Sequence, residues 1–237
     1  MRPLVIIPSH NEVQSLPDVV ADVCAQAIAP EDILIVDDGS SDATSDLLPR
    51  LGVRHVRLRR RLGIGGALRA GIRYVLELGY DTVVRLDADG QHPAQYIPLL
   101  LRPLGERTAD AVLGSRYLGP SEYTTTPLRR VAQQTLALGL SAVLRRKVSD
   151  PTSGYWAFGP RALDVLARHH PSGYPEPELL LLLSRNRLKL VEVAVGMRRR
   201  LAGRTSLTPH RAGLAMARAL WALAVEPLKG PLDGAAE

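Results

Sequence analysis

Two aspartates separated by one residue follow a short apolar segment near the middle of the chain. Residues 83–86 predict a buried strand, and Asp87, Asp89, Gly90 and Gln91 come directly after it. Alternation along a strand points both aspartates the same way, and the glycine allows the turn that brings Gln91 back toward them. Clustered oxygen donors suit a hard divalent cation, Mg²⁺ or Mn²⁺, with a phosphate-bearing ligand completing its shell. A solvated acidic turn is the alternative for so short a pattern.

Two earlier apolar segments also end in polar loops. Residues 4–7 are followed by Pro8-Ser9-His10-Asn11-Glu12, and residues 33–36 by Asp37-Asp38-Gly39-Ser40-Ser41-Asp42. Helices are predicted after both loops, over residues 16–27 and up to residue 48. This alternation is typical of parallel strands with crossover helices, whose ligands lie at the carboxyl ends of the strands.

The remaining pattern extends the same architecture. Further strands are predicted near residues 53–56, 111–113, 155–158 and 189–195, and helices over residues 93–104, from Pro127 onward and over 160–169. We therefore predict an α/β fold with a Rossmann-like, mostly parallel central sheet and helices on both faces. Residues 1–207 are expected to form one domain, and residues 208–237 a C-terminal helical extension.

Three basic or histidine-containing stretches each allow two interpretations. Residues 57–67 could hold a diphosphate through backbone N–H groups and arginine charge, or form a solvated basic turn. Arg129 and Arg130 fall in the first turn of the long helix, against its dipole, which indicates an anionic ligand or a solvated surface pair. Arg145, Arg146 and Lys147 are assigned to its last turn. The adjacent His169 and His170 are interpreted as solvated rather than as a metal site.

Composition narrows the class of protein. Apolar residues make up 46% and charged residues 23%, as in an ordinary globular protein, while aromatic residues are only 4%, so the core must be aliphatic. The net charge of +6 implies an anionic partner. A single cysteine, Cys24, excludes an internal disulfide and a cysteine-based metal site.

The ordered loops 6–12, 36–42 and 87–93 together resemble glycosyltransferase family 2, which has the GT-A fold. Residues 150–155 and 200–206 are similar to its polyprenyl-phosphate hexose synthase branch, the group that contains dolichyl-phosphate mannose synthase. The resemblance covers about residues 3–207. Arg61 and Thr205-Ser206 differ from the residues that are usual in this branch. Because Thr205-Ser206 replaces the usual Ser-Lys, Arg204 would supply the positive side-chain charge there.

This resemblance implies roles for individual residues. The nucleotide sugar would contact Pro8, Ser9, His10, Glu12, Asp38, Gly66, Asp87, Ala88, Asp89, Arg200 and Arg204. Asp89 and Gln91 would hold the metal. Asp89, Arg116, Arg129 and Asp150 are the catalytic candidates, and the acceptor side would comprise Arg116, Arg129, Arg130, Ser153 and Glu178.

Our first hypothesis is a metal-dependent inverting enzyme that moves a hexose from a nucleoside-diphosphate sugar to polyprenyl phosphate. Such an acceptor is already ionised and requires no protein base. A hydroxyl acceptor on a glycan or small metabolite is the alternative, with Asp150, Glu176 and Glu178 as candidate bases. A nucleic-acid-binding protein is disfavoured, because the basic runs lack interleaved aromatic residues.

Location is predicted from the termini. Residues 1–7 show no secretory signal, so we expect a cytoplasmic protein, peripheral on the cytoplasmic face of the membrane if the acceptor is a lipid. The apolar run 213–225 is too short to cross a bilayer. It predicts a helix that either caps the core or lies at a membrane interface, with Trp221 at the headgroups. A membrane-protein partner would be compatible with either arrangement.

Overall fold

The computed structural model describes residues 2–119, 126–171 and 175–200, without the side chains of Leu128 and Pro175. A seven-stranded sheet organises this part of the chain. The strands are β1 (Leu4–Ser9), β2 (Ile33–Asp37), β3 (Arg54–Arg57), β4 (Val83–Arg85), β5 (Ala111–Ser115), β6 (Trp156–Phe158) and β7 (Leu190–Ala194). Their order across the sheet is β3-β2-β1-β4-β6-β5-β7.

Only β6 runs against its neighbours among these strands. β1 pairs in parallel with β2 and β4, β2 with β3, and β5 with β7, whereas β6 is antiparallel to both β4 and β5. The carboxyl ends of β1, β2 and β4 therefore meet at one edge, and that of β5 reaches the same edge across β6. This confirms the predicted mostly parallel α/β sheet.

Helices cover both faces of the sheet. They are α1 (Leu16–Cys24), α2 (Thr44–Leu47), α3 (Ile64–Glu77), α4 (Ile97–Gly105), α5 (Pro127–Leu144), α6 (Pro160–His169) and α7 (Pro175–Arg185), with short 3₁₀ turns at Pro30–Asp32, Leu48–Leu51 and Ala94–Tyr96. The predicted helices are present within a few residues of their expected ends. Arg145 caps α5 in a left-handed conformation, so Arg145, Arg146 and Lys147 follow the helix instead of forming its last turn.

Alternation along the strands builds two separate cores. In β1, Leu4 and Ile6 face one side, where they join side chains of α3, α5, α6 and α7. Val5 and Ile7 face the other side and pack with α1 and α4. Both cores are mainly aliphatic, as the composition predicts, with Trp156 and Phe158 stacked in the first. A strand buried on both faces has a continuous apolar sequence, which explains the apolar tetrads at 4–7 and 33–36.

Among the described residues no helix combines the length and the apolar character needed to cross a membrane. The apolar run 213–225, the predicted boundary at residues 207 and 208, the predicted tail helix and Arg204 lie outside the described residues.

The prediction that His169 and His170 are both solvated is wrong for His170. His169 is exposed, but His170 is buried at the end of α6, where its Nδ1–H donates to the carbonyl oxygen of Pro171. Burial lowers the pKa of His170 to about 4, and the nearby charges of Arg85 and Arg69 act in the same direction. Adjacent residues at a helix end point in different directions, which is why one of the pair reaches the core.

Folding stability should therefore fall in mild acid because of His170. The unfolded histidine titrates near about 6.5, so between that pH and about 4 the unfolded chain binds a proton that the folded chain does not. We expect this residue to account for about 2 kcal/mol of lost stability between pH 7 and pH 5. Urea unfolding of the wild type and of His170→Gln at several pH values measures this loss. An equal pH dependence in both proteins would contradict the assignment.

Candidate active site

The first two polar loops are joined by hydrogen bonds at the carboxyl ends of β1 and β2. Asn11, which has a positive φ of 58°, donates its backbone N–H to Ser40 Oγ at 2.9 Å. Its side-chain oxygen accepts the backbone N–H of Ser41 at 2.8 Å. Glu12 N donates to Thr44 Oγ1 at 3.0 Å, and His10 Nδ1–H donates to the Asp38 carbonyl oxygen at 3.1 Å. These contacts hold the predicted nucleotide-binding loops as one surface.

Ser9 contributes an unpaired polar atom to this surface. Its hydroxyl oxygen is buried and makes no hydrogen bond to the protein. A buried hydroxyl without a partner costs free energy, so its retention is typical of a site where a ligand completes the hydrogen bonding. Ser9 stays a predicted contact of the nucleotide sugar, beside Pro8 and His10.

Asp38 organises the glycine-rich turn. Its two carboxylate oxygens accept the backbone N–H groups of Leu62 at 2.6 Å and Gly63 at 2.8 Å. These N–H groups are therefore already bonded, which favours a solvated basic turn over a backbone cradle for a diphosphate. The side chains of Arg59, Arg60 and Arg61 are exposed beside it.

Gly66 is buried in the first turn of α3. A Cβ at this position would lie 2.5 Å from Leu62 Cβ, so glycine permits the turn to close against its helix.

The third loop places its two aspartates in different surroundings. Asp87 follows β4 and is about one-third exposed, with Arg85 Nη2 3.5 Å from its Oδ1. Asp89 is buried; its Oδ1 accepts the Gln91 backbone N–H at 2.9 Å, and its Oδ2 lies 2.7 Å from Arg200 Nη2. Gly90 has the expected positive φ, 76°, which turns the chain back toward Asp89. Ala88 is buried between them.

Arg200 connects this loop to the first one. Its Nη1 lies 3.3 Å from Glu12 Oε1, while its Nη2 contacts Asp89. The predicted nucleotide-sugar residues Glu12, Asp89 and Arg200 are thus brought together, although Arg200 follows the last strand.

Burial has the largest effect on two of the carboxylates, Glu12 and Asp89. It raises the pKa of Glu12, although the Ser15 hydroxyl and the charge of Arg200 act to lower it. Burial also raises the pKa of Asp89, and the neighbouring charge of Asp87 adds to this effect. A cation beside Asp89 favours the ionised form of both groups.

The residues around Asp89 fit a divalent cation. Among the described residues no group of three His, Cys, Asp or Glu side chains forms a closed metal site. Asp89 nevertheless presents one carboxylate oxygen to a positive charge, which Arg200 supplies here. Asp89 and the adjacent amide of Gln91 are the oxygen donors that a hard cation prefers, and so few protein ligands leave positions for substrate phosphates.

Arg85 is a buried arginine beneath this loop, and the sequence analysis assigned it no role. It is 1% exposed, and its Nη2 donates to Glu176 Oε1 of α7 at 2.8 Å. Its Nε and Nη1 have no hydrogen-bond partner in the protein. A charge inside an apolar strand is expected to be paired, so the arginine within the apolar segment Val-Val-Arg-Leu could have indicated a buried ion pair. Its partner Glu176 was predicted as a candidate base, or as an acid that favours the start of the following helix, and not as the partner of a buried arginine.

Gly154 makes room for these charges. A Cβ there would lie 2.8 Å from Asp87 Oδ2 and 3.1 Å from Arg85 Nη2. The loop before β6 therefore passes directly against the Asp87 carboxylate, and no larger residue fits without displacing it.

Arg116 is held by Asp150 at the carboxyl end of β5. The Asp150 carboxylate is completely buried and accepts from Arg116 Nε at 2.6 Å, from its Nη2, and from its backbone N–H at 3.0 Å. Arg116 Nη2 also donates to Thr152 Oγ1 at 2.7 Å. This is a bidentate pair with fixed geometry.

A chain of hydrogen bonds joins Arg116 to α5. Gln133 donates from Nε2 to Thr152 Oγ1 at 2.8 Å and accepts the Tyr117 hydroxyl proton at 2.7 Å. The Tyr117 ring lies 5.6 Å from the Arg116 guanidinium carbon. The first turns of α5 are thereby fixed beside Arg116. Sequence analysis missed Tyr117, Thr152 and Gln133, because polar residues in a loop and a helix carry no spacing signal.

The other acceptor-side candidates have different surroundings. Arg129 and Arg130 are exposed in the first turn of α5, close to the Gln133 contact, and Glu178 is half-buried on α7. The buried hydroxyl of Ser153 donates to the Gly114 carbonyl oxygen at 2.6 Å and so secures the strand junction. Its place on the acceptor side stays a prediction.

Comparison with known proteins identifies the family. Residues 4–166 match glycosyl transferase family 2. The chain belongs to this family. It is 33% identical to undecaprenyl-phosphate mannosyltransferase of Micrococcus luteus, over 94% of this chain and 95% of that protein. It is also 32% identical to polyprenol monophosphomannose synthase of Mycolicibacterium smegmatis, over 99% of this chain and 90% of that protein.

Solved structures agree with the family assignment. Glucosyl-3-phosphoglycerate synthase of Mycobacterium tuberculosis, in complex with Mn²⁺ and UDP-glucose, is 25% identical with a TM-score of 0.70. The match covers 98% of this chain and 81% of that one. The protein is therefore a glycosyltransferase of family 2 with the GT-A fold, as the three polar loops predict.

Breaking the pair between Arg85 and Glu176 should destabilise the fold. Arg85→Met would leave the mostly buried Glu176 carboxylate unpaired, at an expected cost of about 3–5 kcal/mol in urea unfolding. The double variant Arg85→Met/Glu176→Gln should regain only part of that loss, because residue 176 is then uncharged but Asp87 still lacks Arg85. Arg69→Met, at an exposed position on α3, is the control and should change stability by about 0.5 kcal/mol or less. A single variant as stable as wild type would show that the pair contributes nothing.

Proposed function

We propose that the protein transfers a hexose, with inversion, from a nucleoside-diphosphate sugar to polyprenyl phosphate, with Mg²⁺ or Mn²⁺ as cofactor. The observation that carries this proposal is the state of the candidate bases. Asp150 is paired with Arg116, and Glu176 with Arg85. Guanidinium hydrogen bonds already engage both carboxylates, so these positions suit an acceptor that arrives ionised and requires no proton removal.

Donor binding would use the joined first and second loops. Ser9 has an unpaired hydroxyl, and Pro8, His10, Glu12 and Asp38 lie around it at the ends of β1 and β2. Asp87 and Ala88 continue the same edge. Arg200, which contacts Glu12 and Asp89 in this structure, would contact the donor diphosphate. Arg204 is proposed for the same role from the family resemblance alone.

Charge neutralisation is the main catalytic task here. Asp89 and Gln91 would hold the cation, which when bound stabilises the negative charge that develops on the leaving diphosphate. Arg200 would turn from Asp89 to the diphosphate and add to that stabilisation. The acceptor phosphate oxygen would attack the anomeric carbon from the opposite face, and its negative charge makes proton removal unnecessary.

Arg116, Arg129 and Arg130 would bind the acceptor phosphate. Asp150 fixes the orientation of Arg116 through two parallel hydrogen bonds and is therefore a positioning residue in this proposal, not a base. Thr152 and Gln133 hold the same arginine from the side of α5. Cations so placed recognise a phosphate better than they would assist a neutral hydroxyl.

A hydroxyl acceptor is the second candidate, favoured by one comparison. The similar solved structures include glucosyl-3-phosphoglycerate synthase in complex with phosphoglyceric acid. A small phosphorylated metabolite would also suit exposed arginines at the start of α5. Glu178, half-buried on α7, would then be a base to test beside Asp150 and Glu176.

A product assay separates the two candidates. Purified protein is incubated with a panel of sugar nucleotides and with either a short-chain polyprenyl phosphate or phosphoglyceric acid, and products are identified by mass. We expect a hexosyl-phosphopolyprenol, formed with Mg²⁺ or Mn²⁺ and abolished reversibly by a chelator. A product only from phosphoglyceric acid would select the second candidate. Full activity in excess chelator would exclude the metal from the proposal.

Asp89→Ala should abolish transfer while the protein stays folded. The variant loses a metal ligand, and losing one stabiliser of developing negative charge typically costs about 10²–10³ in rate. The matched control is Asp164→Ala, an exposed aspartate on α6, which should keep wild-type kcat. Both variants are checked by thermal unfolding before assay. A folded Asp89→Ala protein with near-normal turnover would refute the role of Asp89.

A further inference from the structure

The solvent face of α5 is unusual for a surface helix. Val131 is 59% exposed and Leu138 is 73% exposed, and they lie seven positions apart on the same side of the helix. The neighbouring exposed residues of this face are Gln134, Thr135 and Ala142. The middle of an exposed helical face normally carries charged residues, and here it carries none.

The charged residues of the segment 127–147 lie near its two ends, and all of them are positive. Residues 127–147 contain no aspartate or glutamate, and the cations are Arg129, Arg130, Arg145, Arg146 and Lys147. The opposite side of α5 is occupied by the core, where Leu136 and Leu140 are buried. An apolar centre between two groups of cations matches a surface with negative headgroups above a hydrocarbon layer.

We propose that this face, formed by Val131, Gln134, Thr135, Leu138 and Ala142 with the flanking cations, docks the enzyme on an anionic lipid surface. The proposal rests on the proposed function and adds to it the part of the chain that meets the bilayer. Val131 and Leu138 enter the headgroup boundary, and the basic ends contact lipid phosphates.

The position of α5 connects the proposed docking surface to the proposed acceptor site. Gln133, on the inner side of the same helix, bonds Thr152, which bonds Arg116. A helix lying on the membrane would thus present the proposed acceptor-binding arginine next to the bilayer surface. A polyprenyl phosphate could then enter the site with its chain remaining in the lipid.

Vesicle binding tests the surface directly. Full-length protein is sedimented with phosphatidylcholine vesicles that contain or lack phosphatidylglycerol. We expect salt-sensitive binding to the anionic vesicles, lowered about tenfold by Leu138→Glu or Val131→Glu, as expected for a lost interfacial anchor. The control is Leu99→Glu on α4, an exposed leucine on the opposite face of the sheet, which should bind like wild type. Equal binding by all three variants and wild type would overturn the proposal.

Two further measurements distinguish other occupants of this face. If Leu138→Glu lowers the unfolding temperature by several degrees and leaves vesicle binding unchanged, residues 201–237 cover the face. If the same substitution converts an oligomer into a monomer in light scattering, the face is a subunit interface. Either result would overturn lipid docking.

Activity assays separate this proposal from the proposed function. With polyprenyl phosphate in anionic vesicles, Leu138→Glu should be about tenfold slower, and with a water-soluble short-chain acceptor it should equal wild type. Equal rates in vesicles would refute the docking while leaving the function standing. Binding through α5 without transfer to any lipid phosphate would support the docking and refute the function.

Discussion

Carboxylates held out of water at one edge of the sheet depend on cations that the fold places beside them. Arg85 faces Glu176 and Asp87, Arg116 faces Asp150, and Arg200 faces Glu12 and Asp89. An unpaired buried charge is costly, so each arginine restricts where its loop can lie. Arg200 thereby links the loops after β1 and β4, Arg85 links β4 to α7, and Arg116 links the loop after β5 to the loop before β6.

The three arginines differ in their exposure. Arg85 and Arg116 are almost completely buried, whereas Arg200 is about one-quarter exposed. The first two are part of the framework. Arg200 neutralises Asp89 in this structure, and in the proposed function a bound cation would take its place there and leave it to contact the diphosphate.

The fold could be predicted closely from the sequence, because apolar tetrads followed by polar loops are compatible with few arrangements other than buried parallel strands. Residues 4–7 and 33–36 became central strands, and Asp89, Glu12 and Arg200 came together at the expected edge. Periodicity could not predict the pairing of Arg85, the burial of His170 or the inward hydroxyl of Ser153. These depend on contacts between elements distant in sequence, which a local pattern does not contain.

The antiparallel strand β6 has a consequence for how the protein is made. It is the only contact between β4 and β5 in the described sheet, yet it follows α5 in the chain. During synthesis, the edge of β4 that pairs with β6 stays unpaired until β6 has been made, roughly 4 to 14 seconds at about 5–20 residues per second. An exposed apolar strand edge invites pairing with other chains. The nascent protein therefore passes through an aggregation-prone stage, and its yield in cells should depend on chaperones that shield this edge.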